Sequence, residues 1–243
     1  MGAVGMEDTM SEYVRRFQEK YSTALLADAG FRAGVPVGIP PSGIIPLARD
    51  QKLAGPVVPV RVNNDLIAIL GAVHQAGPGE VIVLANRTYE VALLGDLLAS
   101  EASRKGLAGF VVDGLVRDTT TLLEIGLPVF CRGTLPIGPL KLPAELKGLG
   151  ESGIAVTLGE VTVNPGDWVF GDADGVVFFP ADRLPAVFEQ AEESLAREEA
   201  LTAELRGGAA LGDLLDIEGF LRKRAADPKA DFNAHLAERG RAI

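Results

Sequence analysis

Residues 95–118 read GDLLASEASRKGLAGFVVDGLVRD, and this stretch decides how the chain is built. Asp96 follows Gly95 and opens a helix-like run that stops at Gly106. GFVVDG, residues 109–114, is a short apolar run that reads as a buried strand ending in a tight turn at Gly114. Twenty residues separate Asp96 from the pair Arg117-Asp118. A helix start and a strand end can meet at one edge of an α/β layer. Two carboxylates and one guanidinium gathered there suit a divalent cation together with a small carboxylate. Such chemistry needs no covalent attachment to the protein.

The same alternation continues outward. After a loose segment 1–10, residues 11–30 read as helix and lead into the loop GVPVGIPPSG, 34–43. LAGPVVPVRV, 53–62, reads as a strand that Pro56 and Pro59 place at a sheet edge. Asp65 begins an apolar helix that stops at Gly77-Pro78-Gly79, VIVLA at 81–85 is a buried strand, and 90–105 is the next helix. This βαβα order implies a largely parallel layer. Beyond Pro128 the pattern changes: PVFCRG is a strand, and IAVTL, EVTV, DWVF and GVVFF are separated by turn signals such as Asn164-Pro165-Gly166-Asp167 and Asp174-Gly175. A helix over about 182–205 follows, then a tail with short helices around Pro228. The expected organisation is one α/β catalytic domain over 1–180 and a helical extension over 181–243.

A chain of 243 residues with 47% hydrophobic content is an ordered globule. Its net charge of −10 is a poor match for nucleic acid or an anionic membrane surface. An anionic substrate therefore needs a local positive centre, such as a metal or Arg117. Cys131 is the only cysteine, so a disulfide within the chain and a zinc–thiolate cluster are excluded. The start MGAVGMEDTM has neither a basic region nor an apolar core, and no long apolar span is present, so the expected location is cytoplasmic. No Walker A or dinucleotide glycine fingerprint occurs.

Each residue of the central stretch also has a plain structural reading. Asp96 can cap a helix, or the amides of Leu97 and Leu98 can meet an anion that Gly95 lets approach closely. Arg117 can be a solvated surface arginine, and Asp118 can cap the helix beginning TTTLLE. On the long C-terminal helix, Leu184, Val187, Phe188, Ala191, Leu195 and Leu205 share a stripe with Glu198 near its centre and Glu199 toward its edge. A carboxylate there needs a partner; the alternative is a rim glutamate beside Arg197. His74 reads as a packing residue and His235 as solvent-exposed. Asp172-Ala173-Asp174-Gly175 reads as a hairpin turn rather than a calcium loop.

Gly95-Asp96-Leu97-Leu98, Asp113-Gly114-x-x-Arg117-Asp118, Leu127-Pro128-Val129-Phe130 and Arg132-Gly133 together resemble the class II pyruvate aldolase family. Its named activity is 4-hydroxy-4-methyl-2-oxoglutarate aldolase, and it also contains the regulator of ribonuclease activity A. The resemblance implies a β/β/α sandwich that assembles as a trimer or hexamer with sites between subunits. It implies that Gly95, Asp96, Leu97, Leu98 and Arg117 bind a small 2-oxo acid and that Asp96 orients a water. Asp118 is then the direct protein ligand of Mg²⁺ or Mn²⁺, and Glu198, or alternatively Glu199, reaches a neighbouring site. The implied activity is retro-aldol cleavage of a 4-hydroxy-2-oxo acid to pyruvate, with oxaloacetate decarboxylation alongside. The alternative is a non-catalytic regulator of ribonuclease activity. That branch is usually shorter, and the extension beyond Pro180 favours the enzyme.

Overall fold

A parallel strand stack needs helices on its crossovers, and the chain supplies them in order. The computed structural model describes residues 4–86, 88–139, 143 and 148–239, with side chains from residue 11 onward. It divides into two compact units, Met1–Phe188 and Glu189–Ile243. Two helices open the first unit, α1 (Val4–Glu19) and α2 (Thr23–Arg32). Helix therefore begins inside the segment expected to be loose, and the expected single helix is broken at Ser22. Ser22 caps α2 by accepting from the Leu25 amide at 3.1 Å.

The strands are β1 (Ile45–Pro46), β2 (Leu53–Arg61), β3 (Val81–Ala85), β4 (Ala92–Leu94), β5 (Gly109–Val116), β6 (Val129–Thr134), β7 (Glu151–Ser152), β8 (Val156–Leu158), β9 (Val161–Val163), β10 (Trp168–Asp172) and β11 (Gly175–Phe179). Between them run α3 (Leu66–Gln75), α4 (Asp96–Arg104) and α5 (Thr119–Ile125). Among the described residues the main sheet has the order β1-β6-β5-β3-β2-β10-β11, with β4 beside β5 and β7 beside β2. Strands β2, β3, β5 and β6 are mutually parallel. The hairpin β10–β11 and the small hairpin β8–β9 are antiparallel, as the turn signals imply.

The prolines of β2 do not mark a sheet edge. β2 lies between β3 and β10, and its partner on the β10 side changes along its length. Pro56 is the last residue paired with β10, and Pro59 immediately precedes the pairing of Val60 with β7. Each missing N–H thus falls near a handover between partners. The segment 90–105 is likewise not all helix: β4 occupies its start, and β5 runs past Gly114 to Val116.

The sheet buries both faces, and the two apolar clusters are built from alternate strand residues. Ile82, Leu84, Phe110, Val112 and Val129 join α3 and α4 on one face. Val81, Val83, Val111, Phe130 and Val169 join the β8–β9 hairpin on the other. Phe17 of α1 meets Phe170, and Tyr21 just beyond that helix meets Phe188, both edge to face. α2 is tied to the β10–β11 turn by Asp172, which is buried and accepts from the Thr23 amide at 2.8 Å, the Thr23 hydroxyl at 2.6 Å and the Asp174 amide at 3.1 Å. That turn is a hairpin, and its acidic residues are structural.

A long helix, α6 (Leu184–Arg206), leads from the first unit into the second, which then holds α7 (Leu211–Leu214), α8 (Ile217–Ala226) and α9 (Phe232–Ala237). His235 is buried, contrary to the expectation from its polar surroundings in the sequence. Its Nε2 lies 3.3 Å from the Asp216 carboxylate, and its ring packs beside the contacting pair Phe220 and Phe232. Asp216 also caps α8 through the Gly219 amide at 3.2 Å. His74, expected to pack, is exposed on α3.

Asp172→Ala removes three accepted bonds and strands the Thr23 amide in the interior. The expected loss is about 3 kcal/mol, read as a lower urea midpoint at unchanged slope.

Candidate active site

The central stretch folds onto itself through one shared strand edge. β5 pairs with β3 over Gly109–Asp113, and β4 then takes over the same edge at Leu115 and Val116. The Arg117 amide continues this contact by donating to the Leu94 carbonyl at 2.9 Å. The start of α4 therefore stands beside the end of β5. In open α/β sheets this is the edge where ligands bind, beyond the carboxyl ends of parallel strands.

Gly95 is the N-cap of α4, and Asp96 is its first residue rather than its cap. A Cβ at Gly95 would lie 2.6 Å from Asp118 Oδ2 and 3.1 Å from Arg117 Nε. The glycine is thus required by the close approach of the two segments. Asp96 Oδ1 accepts from the Leu97 amide at 2.8 Å, so that amide can meet an anion only if Asp96 turns away. A glycine cap has no side chain to close the helix start, whose N–H groups favour negative charge.

Arg117 and Asp118 are paired, Nε to Oδ2, at 3.2 Å, and both are partly open to solvent. A Cβ at Gly138 would come within 3.0 Å of Arg117 Nη1, so the guanidinium passes between two glycines. Asp118 is left-handed, φ 58° and ψ 39°, which costs an L-residue about 1–2 kcal/mol. It stands at the N-cap position of α5 yet its carboxylate makes no cap bond. Asp118 is the N-cap residue by position, but its carboxylate turns to Arg117 instead of bonding the helix amides. One hard oxygen donor with room for water fits Mg²⁺ or Mn²⁺, which keep much of their hydration. Among the described residues no group of three acidic, histidine or cysteine side chains forms a richer metal cage.

Two hollows adjoin the pair. A cleft of about 470 Å³ is lined by Leu66 and Leu70 of α3, residues 92–98, Arg117, Gly138 and Pro139. A smaller hollow of about 240 Å³ is lined by Arg117, Asp118, Thr119 and residues 134–136. Arg117 lines both. Gly95, Asp96, Leu97, Leu98 and Arg117 thus share one cleft, and Asp118 stands at its side. Glu198 and Glu199 belong to the second unit and are exposed on α6, although Leu184, Val187, Phe188 and Ala191 of the expected stripe are buried.

The sequence reading missed α3 as a wall of the cleft. Its signal was present: LIAILGAVHQ carries apolar residues around much of its circumference, and such a helix needs cover on more than one side. It also left Arg132 without a structural role. Arg132 Nε bonds the buried Asp113 carboxylate, and Arg132 Nη1 donates to the Ser42 carbonyl at 3.0 Å. Tyr89 donates to Asp113 at 3.3 Å, and its phenol is pushed above the ordinary value by burial first and by the Asp113 charge second. Asp113 lies where the β5–β6 register slips, so the ion pair sits beside the irregularity that precedes Arg117.

A family profile described as RraA-like, Aldolase/RraA, matches residues 23–178. The chain belongs to this family. Among RraA-like relatives, a Halalkalibacterium halodurans protein named "Putative 4-hydroxy-4-methyl-2-oxoglutarate aldolase" is 35% identical over 184 residues, covering 75% of this chain and 83% of that protein. An uncharacterized Methanocaldococcus jannaschii protein is 31% identical over 204 residues, covering 82% of this chain and 92% of that protein. The solved structure of Streptomyces coelicolor RraAS2, described as an unusual member of the RNase ES inhibitor RraA protein family, superimposes with a TM-score of 0.64. It is 27% identical and covers 77% of this chain and 92% of that one. The fold is therefore the RraA-type α/β fold, and the family includes proteins named as aldolases and proteins named as ribonuclease inhibitors. Among the described residues no helix is long and apolar enough to cross a membrane.

Proposed function

We propose that this protein is a metal-dependent lyase that cleaves 4-hydroxy-2-oxo acids to pyruvate. The observation that supports the reading is the Arg117–Asp118 pair, whose guanidinium lines both the cleft at the start of α4 and the smaller hollow beside Asp118. Arg117 forks onto the substrate carboxylate, a planar bidentate match that lysine cannot make. Asp118 would hold Mg²⁺ or Mn²⁺, which would supply Lewis-acid polarisation of the 2-keto group when bound. Asp96 orients the water that takes the proton from the 4-hydroxyl. The C3–C4 bond breaks, C4 leaves as a carbonyl, and the electron pair passes through C3 to the 2-oxo oxygen. Arg117 stabilises that developing negative charge. Proton return to C3 gives pyruvate. Oxaloacetate follows the same path with CO₂ as the leaving fragment.

Chelator treatment is expected to abolish pyruvate release, and Mg²⁺ or Mn²⁺ to restore it. Full activity in excess chelator, or trapping of substrate on the protein by borohydride, would refute the metal-dependent reading. If ribonuclease inhibition accompanies a complete lack of pyruvate release, the regulator reading takes its place.

Arg117→Lys is expected to lower the rate by about 10²–10³, the cost of an oxyanion-stabilising donor. Steady-state kinetics on a 4-hydroxy-2-oxo acid decides this, and a rate within a few-fold of the parent places Arg117 away from the reacting end.

Glu198 of a neighbouring copy completes the site in this proposal, within a trimer or hexamer. Its exposure on α6 leaves it available to another chain. Glu198→Gln is expected to fold normally and turn over slowly, and mixing it with inactive Asp118→Asn protein to recover activity in mixed assemblies. A monomer by sedimentation with full activity removes the shared site.

A further inference from the structure

We propose that Asp113, Arg132 and Tyr89 form a positioning cluster that sets where Arg117 stands beside the cleft. The inference rests on the reading of Arg117 as the partner of the substrate carboxylate. The three residues act through the backbone of β5 rather than by touching substrate.

Both edges of β5 change partner at the same two residues. On one edge Asp113 is the last residue paired with β3, and β4 takes over at Leu115. On the other edge Val112 stands opposite Cys131 and Leu115 opposite Gly133, so Asp113 and Gly114 together face Arg132 alone. This is the two-against-one count of a bulge, a device that re-aims the residues after it. The backbone ladder is thus interrupted on both sides of the strand just before Arg117. Gly114 has no side chain to hold the break, and a Cβ there would lie 2.8 Å from Leu93 Cδ1 of β4. Side-chain anchoring therefore falls to Asp113.

Asp113 is buried and is held from two directions. Arg132 Nε bonds its carboxylate across the bulge from β6, and the Tyr89 hydroxyl donates to it at 3.3 Å. Burial first, and the Asp113 charge second, raise the Tyr89 phenol above its ordinary value, so it keeps the proton it donates. Arg132 is fixed in turn. Its Nη1 donates to the Ser42 carbonyl at 3.0 Å, and its guanidinium carbon lies 6.0 Å from the centre of the Tyr89 ring. Losing one member leaves a buried charge without its full set of partners, and the strand can relieve that by realigning. A slip of one residue moves the backbone by about 3.3 Å and turns each side chain to the opposite face. Arg117, four residues beyond Asp113, would be carried with it.

The test measures kcat/KM for pyruvate release from a 4-hydroxy-2-oxo acid, and the Kd of pyruvate by calorimetry, on the full-length Mg²⁺-loaded protein. Arg132→Lys and Tyr89→Phe are each made alone and together with Arg117→Lys. Arg132→Lys keeps the charge but loses the planar fork that reaches Asp113 and Ser42 at once. It is expected to lower kcat/KM at least about tenfold and to weaken pyruvate binding, since a misplacement of about 1 Å can cost about 10²-fold. In the Arg117→Lys protein the same change is expected to cost less than about twofold, because residues that act through one another do not add. Tyr89→Phe removes one bond at a half-exposed residue and is expected to cost about threefold, with the same loss of effect beside Arg117→Lys. Asp172→Ala, in the β10–β11 turn, is the control that lowers the urea midpoint while kcat/KM per folded protein stays unchanged.

Equal losses with and without Arg117→Lys overturn the inference, and if Arg117→Lys alone remains crippled the lyase reading stands without it. A lower urea midpoint with normal kcat/KM in both cluster variants also overturns it and leaves the cluster a purely structural role. If Arg132→Lys does not fold, Tyr89→Phe decides alone, and an additive loss or none overturns the inference. Absence of pyruvate release by the parent fails the lyase reading, and the pyruvate affinities then decide the inference in the same way. An Arg117→Lys protein with normal rate and normal pyruvate affinity fails both.

Discussion

The candidate site depends on the hydrogen bond from the Arg117 amide to the Leu94 carbonyl, 2.9 Å long, at the point where β4 replaces β3 along the edge of β5. A strand edge can be paired only once along its length. By stopping β3 at Ala85 and bringing the chain back as β4, the fold places a helix start beside a strand end. Gly95 then fits against Arg117 and Asp118 because it lacks a Cβ. These contacts set the Gly95–Arg117 side of the cleft, and Gly138 and Pro139 after β6 join its lining.

Electrostatics gives the same edge its character. The chain carries a net charge of −10, so an anion is repelled by most of the molecule. Arg117 and the partial positive charge at the start of α4 are local features of opposite sign. Asp118 holds its carboxylate there at the cost of a left-handed backbone and without making a cap bond. Strain without a local structural return is commonly found at functional positions, and here it coincides with the family motif. The buried Asp113–Arg132 pair one turn of strand earlier is more costly to break than to keep, and it fixes the register irregularity before Arg117.

Membership of the RraA-like family joins two kinds of named activity on one fold, so the function has to be argued from the site. The reading proposed for this chain rests on the cleft that Arg117 lines beside the start of α4. The second unit has its own order: Asp216 caps α8 and pairs with the buried His235. The His235 ring packs beside Phe220 and Phe232.

The sequence by itself determined the parallel core, because VIVLA and GFVV are apolar on consecutive residues and only strands buried on both faces need that pattern. It also determined the two hairpins, from turn residues with few other conformational uses, and the nearness of Asp96 to Arg117-Asp118, from the spacing of a motif. Tertiary structure decided the rest. Periodicity could not separate β4 from α4, since three apolar residues before Gly95 fit either element. It could not place β2 in the sheet interior, because the handover of partners at Pro56 and Pro59 is a property of other strands. Nor could it tell which histidine is buried: His74 lies among apolar neighbours in sequence and is exposed, while His235 lies among polar ones and is buried beside the rings of Phe220 and Phe232. The cleft has the same origin, since Leu66 and Leu70 of α3 line one recess with the start of α4 only after β3 and β5 have paired.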